Sequence, residues 1–347
     1  MNRKDLFLYL LLCTSATGVQ AQELPPWNDP SVNNINRKEL TSDFFAFESV
    51  SLAERNVKNA SSRFMSIEGD WKFHWVKNAN ERPTDFYRLD LDDSNWGTMP
   101  VPGCWELNGY GDRIYVNIQY EWENEWENNP PYVKDLNNHV GSYRREFVVP
   151  AEWKSDKVFI HIGEFSSNLN LYVNGEFVGY AEDNKVAAEF DITKYVKFGE
   201  KNLIAMQLHR WCDGSYVEDQ DFWRFRGIAR ENYLYAVPQS HIKDLYIKPD
   251  LTDNYKNGIL SVDVCTENGV NKQLTIELFE KVTGNKIIEN TKTIESDNNL
   301  FNFNIKQPLK WTAETPNLYT LRATLTGDGK VLEVIHQNVG FRKIEIK

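Results

Sequence analysis

Apolar and polar residues alternate along much of the first part of the chain, which is the pattern of strands that bury one face. A hairpin is predicted at residues 169–180, because its central Asn-Gly pair supplies the two positive φ angles that a tight turn needs. Helical periodicity does not extend over a useful length. Further strands are predicted at residues 71–75, 143–150, 158–162 and 202–209.

After Pro238 the chain becomes a plainer series of short strands separated by turn signals such as Asn257-Gly258. Seven strands at this spacing in about a hundred residues fit an immunoglobulin-like sandwich, although the Cys, Trp and Cys pattern of antibody domains is absent. The expected fold class is therefore all-β, with two sandwiches. The predicted strands of the second one are residues 242–247, 259–265, 274–279, 286–289, 300–305, 319–325 and 331–335.

Residues 210–230 form what we call the acidic–aromatic stretch, R-W-C-D-G-S-Y-V-E-D-Q-D-F-W-R-F-R-G-I-A-R. Its carboxylates, large rings and arginines follow neither the strand period nor the helix period. We interpret it as a long functional loop in which carboxylates accept hydrogen bonds, rings stack on a ligand and arginines hold the carboxylates in place. The alternative is a solvated connection whose charges pair with each other.

Residues 100–131, the Trp-rich loop, combine Gly, Pro and Asn with aromatic residues beside polar ones. Aromatic faces can stack on the C–H face of sugar rings, while Asn, Asp and Glu reach the hydroxyls. Alternatively, Trp105, Trp122 and Trp126 cap the ends of a sandwich. Both roles are compatible with the residue types alone.

The chain has 347 residues and a formal net charge of -11, and its length suggests about two domains. An acidic chain is a poor partner for nucleic acid or an anionic membrane surface, since both attract clustered Lys and Arg. Beyond the N-terminal segment the cysteines are Cys104, Cys212 and Cys265, which allow at most one disulfide. Their spacing does not suggest a zinc site.

Residues 1–21 have the pattern of an export signal: basic residues, a short apolar run and then small and polar residues. The apolar run is too short to span a bilayer, so we expect cleavage and a periplasmic or secreted protein without membrane insertion. Residues 22–43 are rich in Pro, Asn and charge and predict an extended arm that Trp27 could anchor.

Several segments together resemble the N-terminal region of the β-galactosidases of glycoside hydrolase family 2, and they occur in the order found in that family. The resemblance implies a jelly-roll sugar-binding domain at residues 44–238 and an immunoglobulin-like domain at residues 239–347, in agreement with the strand pattern. W-C-D-G-S-Y-V-E-D-Q-D-F-W-R is the most specific segment and indicates the galactosidase group of the family. The segments lie at residues 69–73, 115–120, 172–180, 210–230, 314–319 and 339–342.

In this family a (β/α)₈ barrel follows the second domain and carries both catalytic glutamates of a retaining mechanism. A barrel typically needs about 250 residues, and the sequence given ends at Lys347. The resemblance therefore implies no catalytic residue in this chain, magnesium ligands only in the barrel, and an inactive chain when it stands alone. It also implies a downstream barrel domain as partner and a homo-oligomeric full-length enzyme.

Two residues match functional positions of the family. Asn117 matches an asparagine that reaches from the first domain into the barrel's site and contacts the galactoside, and Asp213 matches an aspartate that contacts sugar hydroxyls and helps to hold a sodium ion. Amide and carboxylate oxygens suit both tasks. The residues alone leave open that Asn117 bonds to its own backbone in a turn and that Asp213 forms an Asx turn.

The remaining acids of the acidic–aromatic stretch are expected to keep it rigid by pairing with its arginines, Arg224, Arg226 and Arg230. These acids are Glu218, Asp219 and Asp221.

Two other functions stay open at this point. The chain could be a free-standing carbohydrate-binding protein that uses the Trp-rich loop and the acidic–aromatic stretch as its sugar platform. It could also be a structural module in which the arm and the two sandwiches assemble subunits.

Overall fold

The computed structural model describes residues 24–183, 185–218, 220–252 and 254–346, and these are almost entirely β. Their α-helix, α1 (Val50–Arg55), begins after Ser49, whose hydroxyl accepts a hydrogen bond from the backbone N–H of Leu52, and ends at Asn56 in the left-handed conformation. Within these ranges, no helix has the length and apolar character that crossing a membrane requires. The predicted export signal lies outside the described residues.

The first sandwich is built from two antiparallel sheets and a short ribbon. The larger sheet has the strand order β1-β10-β9-β12-β7-β3-β4, the facing sheet has the order β11-β8-β14-β2 with β5 beside β14, and β6 pairs with β13 in the ribbon. The strands are β1 (Asn34–Ile35), β2 (Phe64–Ser66), β3 (Gly69–Val76), β4 (Gly97–Val101), β5 (Gly103–Cys104), β6 (Ile114–Val116), β7 (Val140–Val148), β8 (Lys157–Ser166), β9 (Leu169–Val173), β10 (Glu176–Ala181), β11 (Ala188–Asp191), β12 (Lys201–His209), β13 (Phe222–Arg224) and β14 (Gly227–Val237).

The alternating pattern produces this sandwich directly. In β9, Leu169, Leu171 and Val173 are buried while the residues between them are partly exposed, so every second side chain joins the core between the sheets. The predicted hairpin is confirmed, because Asn174 and Gly175 have φ angles of 51° and 85° at the β9–β10 turn. The jelly-roll expectation for this part of the chain is met.

The second sandwich has its own apolar core and two sheets, with the orders β15-β16-β19 and β18-β17-β20-β21. All seven predicted strands are present and are longer than their apolar runs. They are β15 (His241–Thr252), β16 (Asn257–Glu267), β17 (Gln273–Glu280), β18 (Lys286–Thr293), β19 (Asn298–Ile305), β20 (Tyr319–Gly327) and β21 (Lys330–Val339). The two facing sheets give an immunoglobulin-like arrangement. The cysteines in the described residues, Cys104, Cys212 and Cys265, are free thiols.

A small apolar cluster joins the two sandwiches. Phe47, which precedes α1, forms a β-bridge with Val334 of β21, with N–H to O distances of 2.9 and 2.8 Å in the two directions. Phe45 and Tyr233 of β14 pack against this pair. The Arg63 guanidinium adds a hydrogen bond of 2.9 Å to the Leu332 carbonyl. The segment that follows the arm therefore fixes the second sandwich to the first.

The arm is more tightly packed than the sequence predicts. Its residues 34 and 35 form β1 on the edge of the larger sheet, opposite Ala181 and Tyr180. Trp27 stacks on the buried imidazole of His209 at 4.3 Å between ring centroids, which fits its predicted anchoring role. The domain boundaries after residues 21, 43 and 238 stay predictions.

Candidate functional site

The Trp-rich loop and the acidic–aromatic stretch form one surface. Strand β6 of the loop pairs with β13 of the stretch, with Tyr115 opposite Trp223 and Val116 opposite Phe222. The Tyr115 hydroxyl donates a hydrogen bond to the Asp221 carboxylate. The stretch is therefore not a continuous loop as expected, since it contains β13 and the beginning of β14.

The three tryptophans of the Trp-rich loop are buried. Trp122 and Trp126 stack in parallel at 4.9 Å, and both meet the buried Trp211 nearly at right angles, at 5.3 and 6.0 Å. Trp105 belongs to the main core of the sandwich. These rings are packed as in a protein interior, which favours the capping role and removes them as an open platform for a sugar.

A buried ion-pair network joins the two segments. The Glu121 carboxylate accepts hydrogen bonds of 3.2 and 3.3 Å from the Arg210 guanidinium and another from Arg226. Burial by itself would raise the pKa of Glu121, but the charges of Arg226 and Arg210 outweigh it and hold this pKa below its usual value. The carboxylate is therefore ionised and links one segment to the other. No spacing in the sequence relates these three residues.

This network changes the predicted pairing of Arg226 and Arg230. The ion pairs that the structure describes for Arg226 and Arg230 join them to Glu121 and Glu164, both outside the acidic–aromatic stretch. Asp221 accepts from Tyr115, and Asp219 lies outside the described residues. The stretch is held by neighbouring strands and by the Trp-rich loop, which sequence spacing could not reveal.

Asp213 lies at the end of the larger sheet, where β12 runs into a short 3₁₀ turn at Asp213–Tyr216. Its side chain is buried, with the residue 6% exposed, and it accepts a hydrogen bond of 2.9 Å from the Gly214 N–H. A second hydrogen bond joins it to the carboxyl group of Glu182. The Asp213 carboxylate therefore has two partners, the backbone N–H of Gly214 in its own turn and the carboxyl group of Glu182.

Sheet topology explains how Glu182 reaches this position. Strands β10 and β12 both run antiparallel to β9, so they run in the same direction and their C-terminal ends lie at the same end of the sheet. Glu182 directly follows β10, and Asp213 follows β12 after three residues. Asp213 was predicted from the sequence and Glu182 was not, although Glu182 lies only two residues beyond the predicted end of the hairpin at Tyr180.

A hydrogen bond between two carboxyl groups requires a proton on one of them. Burial raises the pKa of Glu182 to about 8, with the nearby charge of Asp213 adding to the shift and the Tyr180 hydroxyl opposing it. Burial also raises the pKa of Asp213, while the hydrogen bond from Glu182 works in the opposite direction. At neutral pH Glu182 is therefore the protonated member and Asp213 carries the negative charge.

Oxygen atoms of this pair could hold a cation. One ligand atom each of Glu182, Cys212 and Asp213 lies within 4.8 Å of the others. A hard cation prefers carboxylate oxygens and would take the place of the proton between the carboxyl groups. Burial raises the pKa of the Cys212 thiol well above its ordinary value, so the sulfur stays neutral and adds little to a site for such an ion.

Asn117 directly follows β6 and is exposed. Its amide makes no hydrogen bond to a described residue, so the structure does not support the alternative of a side chain that bonds to its own turn. Ile118 beside it is 90% exposed, and the rings of Tyr115 and Trp223 are half exposed. Exposed apolar side chains thus lie close to Asn117, together with the exposed polar residues Gln119 and Asp221.

Two family models match the two sandwiches of the chain. The model of the glycosyl hydrolases family 2 sugar binding domain matches residues 64–238, and a second glycosyl hydrolases family 2 model matches residues 240–342. The chain belongs to glycosyl hydrolase family 2.

Relatives in this family extend well beyond the length of the chain. A β-galactosidase of Priestia megaterium is 37% identical over 338 residues, which are 94% of this chain and 33% of that protein. A β-galactosidase of Clostridium acetobutylicum is 37% identical over 321 residues, 92% of this chain and 35% of the relative. The chain spans about a third of the length of these relatives.

Solved structures of the family share the fold. A β-glucuronidase of Bacteroides uniformis superimposes with a TM-score of 0.65 at 22% identity and covers 80% of this chain and 32% of that one. A β-glucuronidase of Ruminococcus gnavus has a TM-score of 0.62 at 17% identity, covering 83% and 47% of the two chains. At this identity the likeness concerns the arrangement of the two sandwiches.

Proposed function

We propose that the chain is the N-terminal part of a retaining β-galactosidase that hydrolyses terminal β-D-galactosides, and that it completes an active site carried by a barrel domain. The observation that carries the proposal is the 37% identity to a β-galactosidase over 94% of this chain. The length of these relatives leaves room for a barrel of about 250 residues. The chain alone is then inactive, because both catalytic glutamates belong to the barrel.

In this function Asn117 and Asp213 contact the galactoside. The exposed Asn117 amide can both donate to and accept from sugar hydroxyls, and the exposed apolar side chains of Tyr115, Ile118 and Trp223 suit contact with a second protein domain. Asp213 offers a fixed carboxylate at the end of β12. The buried ion pairs of Glu121 with Arg210 and Arg226 hold the Trp-rich loop and the acidic–aromatic stretch in fixed relative positions. A binding site needs this rigidity.

Asp213 would also share in binding a sodium ion. The Glu182–Asp213 pair supports this role, since two close carboxyl groups need either a proton or a cation between them. The ion would supply positive charge that orients hydroxyl oxygens of the sugar. Magnesium, in contrast, is assigned to the barrel. Export to the periplasm or medium and homo-oligomerisation of the full-length enzyme complete the proposal.

A chimera tests these roles. Residues 22–347 would replace the matching third of the Priestia megaterium β-galactosidase, and hydrolysis of a chromogenic β-galactoside would be measured. We expect Asp213→Asn to lower kcat/KM by about 10- to 100-fold, the cost of losing hydrogen bonds to a charged group. Asp213→Asn should also abolish any difference between the kcat/KM measured in sodium chloride and that measured in choline chloride. Asn117→Ala should lower kcat/KM by about tenfold.

The matched controls are Asp328→Asn and Asn298→Ala, both exposed and in the second sandwich. They should leave kcat/KM and the sodium response unchanged. Wild-type kinetics in the Asp213 variant would contradict its role in the site. Hydrolysis at enzymatic rates by residues 22–347 alone would show that the chain carries its own catalytic groups.

A further inference from the structure

A cavity of about 420 Å³ lies away from the Asn117 and Asp213 loops. Residues 38–46 form one wall, the outer face of β8 and β14 forms the floor, and His241 and Ile242 of the second sandwich close one end. Leu40 and Val186 line its mouth and are 67% and 44% exposed, so the cavity opens to solvent. Its volume is within the ~300–1,000 Å³ of small-molecule sites.

The floor is aromatic. Two cross-strand pairs stack there: Phe159 on Tyr235 at 5.3 Å and His161 on Tyr233 at 4.5 Å between ring centroids. These side chains alternate with core residues along β8 and β14, so the rings belong to the outer face of the sheet. Phe159 and Tyr233 are only 7% and 3% exposed, so the rings form a packed apolar floor beneath the cavity, and the groups that a ligand can reach are mainly those of the rim.

Charged groups stand over the rings and are held in place. The Lys38 ammonium lies 2.7 Å from the Glu189 carboxylate and 3.0 Å from the Tyr235 hydroxyl. Glu189 also bonds to His161 at 2.8 Å. Lys38, Glu189, Tyr235 and His161 all line the cavity. Donors and acceptors therefore alternate within a few ångströms, above a flat apolar floor.

A β-bulge shapes the rim. The register between β8 and β14 shifts between Ala229 and Asn232, and Arg230 takes the left-handed conformation with φ of 56°. The Asn232 amide fixes the bulge by donating to the Arg230 carbonyl at 2.9 Å. A bulge re-aims the side chains of the extra residues, here Arg230 and Glu231, both of which line the cavity.

We propose that this cavity binds a neutral saccharide of one or two rings, at a site separate from the one that the barrel completes. Among the described residues, the lining carries three basic and four acidic side chains. Several of these are already paired, including Lys38 with Glu189 and Lys58 with Glu231. A charged ligand would bring an unpaired charge into this balance, whereas hydroxyls can donate to the acids and accept from the bases.

Binding to the purified chain tests the proposal. Lactose, cellobiose, maltose and xylobiose would be titrated at millimolar concentrations by calorimetry and saturation-transfer NMR. We expect at least one to bind, with saturation transfer that persists in the Asp213→Asn variant. Val186→Trp should block the mouth and weaken binding at least about tenfold, and Arg230→Ala and Glu231→Gln should each weaken it about fivefold.

Val282→Trp is the matched control, since Val282 is 86% exposed in the second sandwich and does not line the cavity. It should bind as tightly as the wild type. The proposal fails if none of the four disaccharides binds, if Val186→Trp binds as well as the control, or if Asp213→Asn abolishes binding. If glucuronate or glucosamine bound more tightly than the neutral sugars, the proposal that the ligand is a neutral saccharide would be wrong.

Discussion

Replacing Glu333 by glutamine should change the pH dependence of stability. Glu333 lies on β21 beside the first sandwich and is fully buried. One oxygen, Oε2, accepts a hydrogen bond of 2.7 Å from the Ile242 N–H, and Oε1 has no hydrogen-bond partner among the described residues. Burial raises the pKa of Glu333 to about 8, while the Ile242 N–H and the charges of Arg63 and Lys38 oppose the shift.

The sign follows from proton binding in the two states. Between pH 4.5 and about 8 the folded protein holds a proton on Glu333 that the unfolded chain has lost, so the free energy of unfolding falls as pH rises. This contribution is fully present below pH 4.5 and is lost by pH 8. At ~1.36 kcal/mol per pKa unit the full effect is about 5 kcal/mol, and relaxation of the site reduces it to roughly 2–5 kcal/mol.

Urea unfolding of the wild type and Glu333→Gln at pH 5, 7 and 8.5 measures this effect. The free energy of unfolding of the variant, relative to the wild type, should rise by about 2–4 kcal/mol across this range. The free energy of unfolding of the variant at pH 5 is expected to be lower than that of the wild type. The glutamine oxygen can accept from the Ile242 N–H, but its NH2 group then lies buried without an acceptor where Oε1 stood. Glu314→Gln, at an exposed position of the second sandwich, is the control. An unchanged difference at all three pH values would refute the assignment of a buried protonated carboxyl.

Three further substitutions test the packing around the arm and the loops. Trp27→Ala removes the stack on His209 and should lower the free energy of unfolding by roughly 1.5–3 kcal/mol, with faster proteolysis of the arm as a second readout. Glu121→Ala leaves its arginines buried without their shared partner and should cost about 3–5 kcal/mol by urea unfolding. Phe47→Ala empties the cluster at Val334 and should cost about 3–5 kcal/mol, with increased hydrogen exchange along β21.

Six strands of the first sandwich, β3, β7 to β10 and β12, could be predicted because their information is local. Alternation places each side chain on a definite face, and Asn174-Gly175 fixes the turn that joins β9 to β10. The seven strands of the second sandwich were found for the same reason. Strand ends were predicted too short: β15, predicted to end at Ile247, continues to Thr252 because its backbone stays paired with β16. β14 was not predicted.

The acidic–aromatic stretch shows where local information ends. Its composition indicated a site, and the family resemblance singled out Asp213. The partners came from elsewhere: Glu182 from the end of β10, Glu121 from the Trp-rich loop and Glu164 from β8. Each is tens of residues away in sequence, and only the pairing of strands brings the groups within hydrogen-bonding distance.

The sequence by itself determined the all-β class, the two series of strands, the family resemblance and the candidate residues Asn117 and Asp213, because periodicity, turn chemistry and motifs are written in consecutive residues. Tertiary structure alone decided that the tryptophans of the Trp-rich loop are buried, that Glu182 lies beside Asp213, and that a cavity opens beneath the arm. Burial and pKa depend on which surfaces meet, and that is settled only when the sheets pack.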